Sequence, residues 1–288
     1  WGLAMTFNEN LKKKNYGEIW QRYCGFLDFS MPEYMQVQKR LLLEQIELYS
    51  KSELGNLIMK GQKPQTVEDF RKTVPLTTYE DYCDFLLAKV ESVLPSKPIV
   101  WIETTWEGGK HPIKVAPYTD SMVRAHSDIF LTCLVLATSD RKGHFTIDRG
   151  DKFLYGMAPL PYLTGLAPYS LQGELNVEFL PSLKEAEKLS FGQRNKVGFK
   201  LGMKKGIDIL FGMSSVLVRM SESFSGSGKG SSDYHPFQTS MKMNRRLIKA
   251  WLRNKLHGTP MQPKDIWKLK TLICAGTDTL HMKDKIEE

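Results

Sequence analysis

The chain has 288 residues, with 40 Lys and Arg against 32 Asp and Glu, a formal charge of +8. With 41% hydrophobic and 25% charged residues its composition is globular, which excludes a disordered tail, a collagen-like fibre and a disulfide-knotted miniprotein. At about 150 residues per domain, the length suits one large domain or two small ones. Cys24, Cys83, Cys133 and Cys274 are far apart and form no C-x-x-C pair, so they read as reduced core thiols and no metal ligand set is assigned.

The N-terminus sets Trp1 to Met5 ahead of Lys12-Lys13-Lys14, the reverse of a secretory signal, and Trp rather than Met at position 1 suggests a fragment or an incompletely read chain. From Glu33 to Lys60, apolar residues recur at Val37, Leu41, Leu42, Ile46, Tyr49 and Leu54 without an internal proline, which predicts one long helix. Thr66 and then Thr77-Thr78 precede acidic residues ahead of apolar ones, the pattern of capped helix starts, with Pro75 separating them. From Pro98 the texture changes. Ile99 to Ile102 and Ile113 to Ala116 flank a glycine-containing turn and predict paired strands, followed by a helix from about Thr119-Asp120. The apolar run from Ile129 to Ala137 is well short of the roughly 20 residues that cross a bilayer, so no membrane partner and a cytoplasmic location are expected.

Further β-rich runs fall at Phe153 to Tyr155, Val177 to Leu180, Ile207 to Leu210 and Leu269 to Cys274, with helical patterns between most of them. This alternation predicts an α/β protein, read as a mixed sheet with flanking helices. Residues 1–95 are expected to form a helical region packing on the main domain, and 96–288 an α/β nucleotide- and acyl-binding region incomplete at its C-terminus. Basic residues cluster at Arg194 to Lys205 and at Lys242 to Lys255. In the second cluster Leu247, Ile248, Trp251 and Leu252 define the apolar face and the basic residues a solvated one. Without a helix-turn-helix, zinc-finger or aromatic RNA-binding signature, and with a net of +8 that is modest for this length, a nucleic-acid or other anionic partner is only the second reading of these clusters.

Ser225 to Ser232 is a Gly/Ser-rich stretch of linker composition, and it fails the Walker pattern because Ser223 and Gly230 stand where a glycine and a hydroxyl residue are required. Arg149-Gly150-Asp151 reads as an ordinary turn. The segment Glu103 to Lys114 carries hydroxyls, glycines and lysines between two predicted strands. That mixture suits a triphosphate: small residues let backbone N–H groups approach the oxygens, hydroxyls donate and ammonium groups offset charge. A glycine hairpin turn accounts for the glycines equally well.

Thr104-Thr105 through Lys114, followed by Pro117-Tyr118-Thr119, resembles the phosphate-loop signature of the acyl-adenylate-forming superfamily. Val74 to Tyr82 is similar to the stretch preceding that loop, and Ala158 to Gly165 to one following it. Gly206 to Leu210 with Ser214 to Leu217, and Leu272 to Thr279, resemble the auxin-responsive acyl-acid amido synthetases and their bacterial relatives. The matches keep their order over roughly residues 65 to 288.

The resemblance implies ATP-dependent activation of a small carboxylic acid to an acyl-adenylate, with Mg2+, then transfer to an amine or thiol acceptor, an amino acid amine in the amido synthetases. An acyl-CoA ligase-type enzyme and a noncatalytic nucleotide- or acyl-binding protein on the same fold are the alternatives. By matching positions, Thr104, Thr105, Gly108, Gly109, Lys110 and Lys114 would cradle phosphates, and Gly276, Thr277 and Asp278 would meet base and sugar. Met213, Ser214, Val216 and Leu217 would line the acyl pocket. The superfamily's catalytic residues are expected beyond Glu288, which leaves the 288-residue chain inactive alone. Thr277 and Asp278 also suit helix capping, and Lys114 a strand edge. Trp106-Glu107 departs from the family loop and puts a carboxylate at its centre, a charge that Lys110 or a metal must offset.

Overall fold

A computed structural model describes residues 5–105, 110–224, 241–259, 261–276 and 279–287. By internal contacts the chain divides into two compact units, one of Trp1–Trp20, Phe130–Pro159 and Leu171–Glu288, the other of Gln21–Ile129 and Leu160–Ser170. The helical N-terminal segment is thus shared between them.

The second unit starts within α2 (Tyr16–Cys24), which follows α1 (Phe7–Lys13), and continues through α3 (Met31–Ser50), α4 (Glu53–Ile58) and α5 (Val67–Thr73). Ser30 caps α3 in a reciprocal box with Glu33. The single helix expected over 33–60 is broken. Lys51 ends α3, Ser52 caps α4 by accepting from Gly55 N, and the chain turns so tightly that a Cβ on Gly55 would lie 1.8 Å from the Tyr49 carbonyl oxygen. Thr66 caps α5 as its spacing predicts. Thr78 opens a 3-10 turn at Tyr79–Asp81, and α6 (Cys83–Leu87) follows. Strands β1 (Val100–Thr105) and β2 (Ile113–Tyr118) pair antiparallel, and α7 (Asp120–Ala137) begins at the expected place. Leu54, Leu86 and Val93 form one buried cluster here. Ile102 and Val123 form another with Leu166 of α8 (Leu163–Ser170).

The first unit holds a small hairpin of β3 (Ser139–Arg141) and β4 (His144–Phe145), and a four-stranded sheet. That sheet comprises β5 (Lys152–Gly156), β6 (Glu178–Leu180), β7 (Ile209–Met213) and β8 (Thr271–Ala275) in the order β6-β5-β7-β8, all parallel. The α/β class is as expected. Strands of both directions are present, the antiparallel pairs forming two-stranded sheets of their own. The β6-to-β7 crossover runs through α9 (Leu183–Ala186) and α10 (Phe191–Lys205), and the β7-to-β8 crossover through α11 (Ser214–Phe224), α12 (Met241–His257) and α13 (Pro263–Ile266), with α14 (Thr279–Glu287) after β8. Leu154, Leu180, Ile207, Leu210, Met243, Leu247, Ile266 and Trp267 make the core.

Two surface expectations change. On α12 the buried stripe is Met243, Leu247, Ala250 and Asn254, while Ile248, Trp251 and Leu252 are exposed. Asn254 can lie inward because its amide donates to Asp265, which also pairs with Arg253. Among the cysteines Cys24 and Cys83 are buried, Cys274 is half-buried, and Cys133, on the outer side of α7, is exposed. No helix among the described residues is long and apolar enough to cross a membrane.

Helix α10 approaches the sheet closely enough that a Cβ on Gly198 would meet Leu154 Cδ1 at 2.5 Å and the Leu180 carbonyl oxygen at 2.8 Å, whereas Gly192 on the same helix faces open space. Gly198→Ala is therefore expected to cost about 1–3 kcal/mol by overpacking. Gly192→Ala should be neutral or stabilising by at most about 1 kcal/mol. Denaturant titration of the two variants reads the difference in sign.

Candidate functional site

In the second unit, the β1–β2 register sets Thr104 directly opposite Lys114 and Thr105 opposite Ile113. Two predicted phosphate contacts, 10 positions apart in the chain, thus become cross-strand partners with side chains on one face. Thr104 and Lys110 are exposed and Lys114 is half-buried, its ammonium 5.4 Å from the centre of the Tyr79 ring. Gly108 and Gly109, with Trp106-Glu107, lie outside the described residues. The ribbon is fixed from both edges. Val115 N donates to Tyr79 Oη at 2.7 Å and Tyr79 Oη donates to Val115 O at 3.1 Å, while Glu103 N donates to Pro161 O at 2.8 Å.

Beside this ribbon three side chains converge that sequence spacing does not relate. His111 Nε2 lies 3.4 Å from Cys83 Sγ and 3.3 Å from Glu80 Oε2. Cys83 Sγ also faces the Glu80 carbonyl at 3.7 Å and Asp84 Oδ1 at 3.9 Å. Burial pushes the Cys83 thiol up, and the nearby Asp84 and Glu80 charges add to this while Lys110 opposes it. Cys83 is thus a thiol at neutral pH rather than an activated nucleophile. The three-residue step from Glu80 to Cys83 was the local signal, but His111, 28 positions on, is brought in only by the hairpin.

In the first unit, the parallel register aligns Gly156 with Gly212 and Met213 with Ala275. The C-terminal ends of β5, β7 and β8 therefore share one edge. The chain leaves β5 toward β6 on one side and β7 toward β8 on the other, which makes the β5/β7 edge a switch point where open α/β sheets take ligands. Met213 and Ser214 stand at that edge beside Gly276. Ser214 is buried, its hydroxyl 2.6 Å from Thr279 Oγ1, and Thr279 Oγ1 donates to Gly276 O at 2.8 Å. Predicted acyl-pocket and nucleotide residues are therefore neighbours here. Gly276 has φ 152°. Thr277 and Asp278 lie outside the described residues, and α14 starts immediately after them.

Val216 is half-buried, and Leu217 lines an apolar cavity of about 230 Å³ with Leu210, Val218, Trp267 and Leu272. Arg194, expected with the surface basic cluster, is 4% exposed and donates from Nη1 to the Met157 carbonyl at 3.0 Å, just past β5. Burial lowers its pKa, yet a guanidinium remains charged. It anchors the backbone at the same strand edge. Composition alone could not separate it from its exposed neighbours.

These features define an α/β protein with a hydroxyl- and ammonium-bearing strand ribbon in one unit and a parallel sheet with a topological switch point in the other. Residues 25–155 match the GH3 family N-terminal domain, the domain of the auxin-responsive acyl-acid amido synthetase family, whose members are adenylate-forming ligases. The match covers 131 of the 288 residues, less than half of the chain. The matched span includes the β1–β2 ribbon and the Glu80, Cys83 and His111 cluster, and it ends within β5. No curated protein matches the chain.

Tyr79→Phe removes both hydrogen bonds to Val115 and leaves that amide without its protein acceptor. The expected loss is about 1–3 kcal/mol of stability. Hydrogen exchange should show the deprotection concentrated at Val115 and its strand neighbours, against little change in the parallel sheet.

Proposed function

We propose that this chain supplies nucleotide- and acyl-binding elements of an acyl-acid amido synthetase, an enzyme that joins a small carboxylic acid to an amino acid amine at the expense of ATP. The observation that carries the reading is Thr104 set across from Lys114, with Lys110 at the loop's exit, inside a matched family domain. A carboxylate is a poor electrophile because attack must expel oxide. Its oxygen therefore attacks the α-phosphorus of ATP, the α–β bridge breaks and pyrophosphate leaves; the amine then attacks the acyl carbon and AMP departs.

The chain's part in the first step is positioning and electrostatic stabilisation. Thr104 and Thr105 donate hydroxyls, Gly108 and Gly109 admit backbone N–H groups, and Lys110 and Lys114 offset phosphate charge. Gly276, Thr277 and Asp278 hold base and sugar. Met213, Ser214, Val216 and Leu217 shape the acyl pocket, a role supported by the apolar cavity that Leu217 borders. Thr104, Lys110 and Lys114 offer hydroxyl and ammonium groups rather than carboxylates, which fits Mg2+ carried in by the nucleotide with phosphate and water ligands. A cytoplasmic setting accords with four free cysteines.

Acid-dependent exchange of labelled pyrophosphate into ATP, run on the full-length protein with a panel of aryl and aliphatic acids, tests the reading. Exchange should require an added acid, and joint substitution of Lys110 and Lys114 by Ala should lower kcat/KM by roughly tenfold or more, the scale of one lost charge-assisted bond. Nucleotide binding without any exchange would leave a noncatalytic binding protein instead.

A further inference from the structure

We propose that Glu80, Cys83 and His111 bind a divalent transition-metal ion, with zinc the best match. The donor atoms Glu80 Oε2, Cys83 Sγ and His111 Nε2 gather within 4.8 Å of one another. Zinc bonds of about 2.3 Å to sulfur and 2.0–2.1 Å to nitrogen or oxygen, at tetrahedral angles, give S···N edges of about 3.5 Å and N···O edges of about 3.3 Å. The observed edges are 3.4 Å for Cys83 to His111 and 3.3 Å for His111 to Glu80. Two edges of a zinc tetrahedron are thus already in place.

The ligand types select the ion. One thiolate, one imidazole and one carboxylate suit zinc, whereas magnesium and calcium ask for oxygen throughout. A cation at the centre would accept a lone pair from each of the three, using the Nε2 that already lies against both the thiol and the carboxylate.

The scaffold is stiff. Glu80 belongs to a 3-10 turn closed by the reciprocal Thr78 and Asp81 cap, and Cys83 opens α6 three residues later. His111 precedes β2, which Tyr79 ties down through Val115, and the Tyr79 ring meets the imidazole edge-on with centroids 6.4 Å apart. Cys83 is 2% exposed, while the His111 and Glu80 side chains are 24% and 46% exposed. The sulfur is the floor of the site, and the open side leaves the fourth position to water.

The test uses untagged full chain, stripped with a chelator and dialysed against micromolar Zn2+, with bound metal measured by atomic emission and Co2+ substituted as a spectroscopic probe. One equivalent of zinc per chain is expected, with a thiolate-to-cobalt charge-transfer band that Cys83→Ala abolishes and Cys133→Ser, at the exposed thiol, leaves intact. His111→Ala and the surface substitution Glu80→Gln should each weaken zinc binding at least about tenfold. Because Glu80 is exposed, its variant keeps the question answerable even where loss of Cys83 disturbs folding. Failure of the wild-type chain to hold zinc, or a cobalt band that survives Cys83→Ala, overturns the assignment. Neither result depends on adenylation, so the proposed activity stands or falls separately.

Discussion

A two-stranded ribbon is marginal in water by itself, because each strand leaves a row of backbone donors and acceptors unpaired and two strands bury too little apolar surface. The β1–β2 ribbon bears the candidate phosphate contacts, so its fixation governs everything that depends on Thr104 and Lys114 facing each other. Among the described residues it is held by side chains and loop backbone rather than by a further named strand. Tyr79 supplies both a donor and an acceptor to Val115 on one edge, and Pro161 accepts from Glu103 on the other. Beneath it, Ile102 packs with Val123 and Leu166. A ribbon fastened at such points keeps the backbone positions of its two strands.

The parallel sheet meets its constraint differently. Strands that all run one way put their carboxyl ends on one edge, and the crossovers then need helices close against the faces. Glycine at position 198 permits that approach, since any side chain there would strike Leu154 and the Leu180 carbonyl. Arg194 shares the helix and uses the closeness to reach the Met157 carbonyl. A charge buried without such a partner would be costly. Packing of α10 and order at the β5 edge are thus one arrangement, and the chain end of β5 is held where β7 delivers Met213 and Ser214.

Local chemistry was readable in the sequence and tertiary chemistry was not. The β-branched runs around Ile102 and Val115 predicted the ribbon, and Thr66, Thr78 and the start of α7 followed from capping patterns, because each is decided within a few residues. The break between α3 and α4 depends on Gly55 lying against the Tyr49 carbonyl, which periodicity cannot express. Strand β7 starts two residues later than its apolar run, since Ile207 is spent in the core under α10. On α12 the apolar letters at Ile248, Trp251 and Leu252 pointed to the wrong face, because the inward stripe is completed by a small residue and a hydrogen-bonded amide. Reading the cysteines pairwise for C-x-x-C could not find Cys83 with His111, whose meeting is made by the hairpin.

Charge links the cluster to the loop beside it. Glu80 and Asp84 put two carboxylates near the Cys83 sulfur, and Lys110 is close enough to act on that same sulfur. A triphosphate brought to Thr104 and Lys114 would meet this acidic corner, and like charges a few ångströms apart cost several kcal/mol unless water intervenes. Zinc held by one thiolate and one carboxylate is formally neutral, so occupation would remove the Glu80 charge from the loop's flank and release Lys110 from it. The same ion would tie His111, and with it the exit of the loop, to the 3-10 turn. A cluster that looks remote from phosphate chemistry by composition would then set both the position and the potential of the residues expected to perform it.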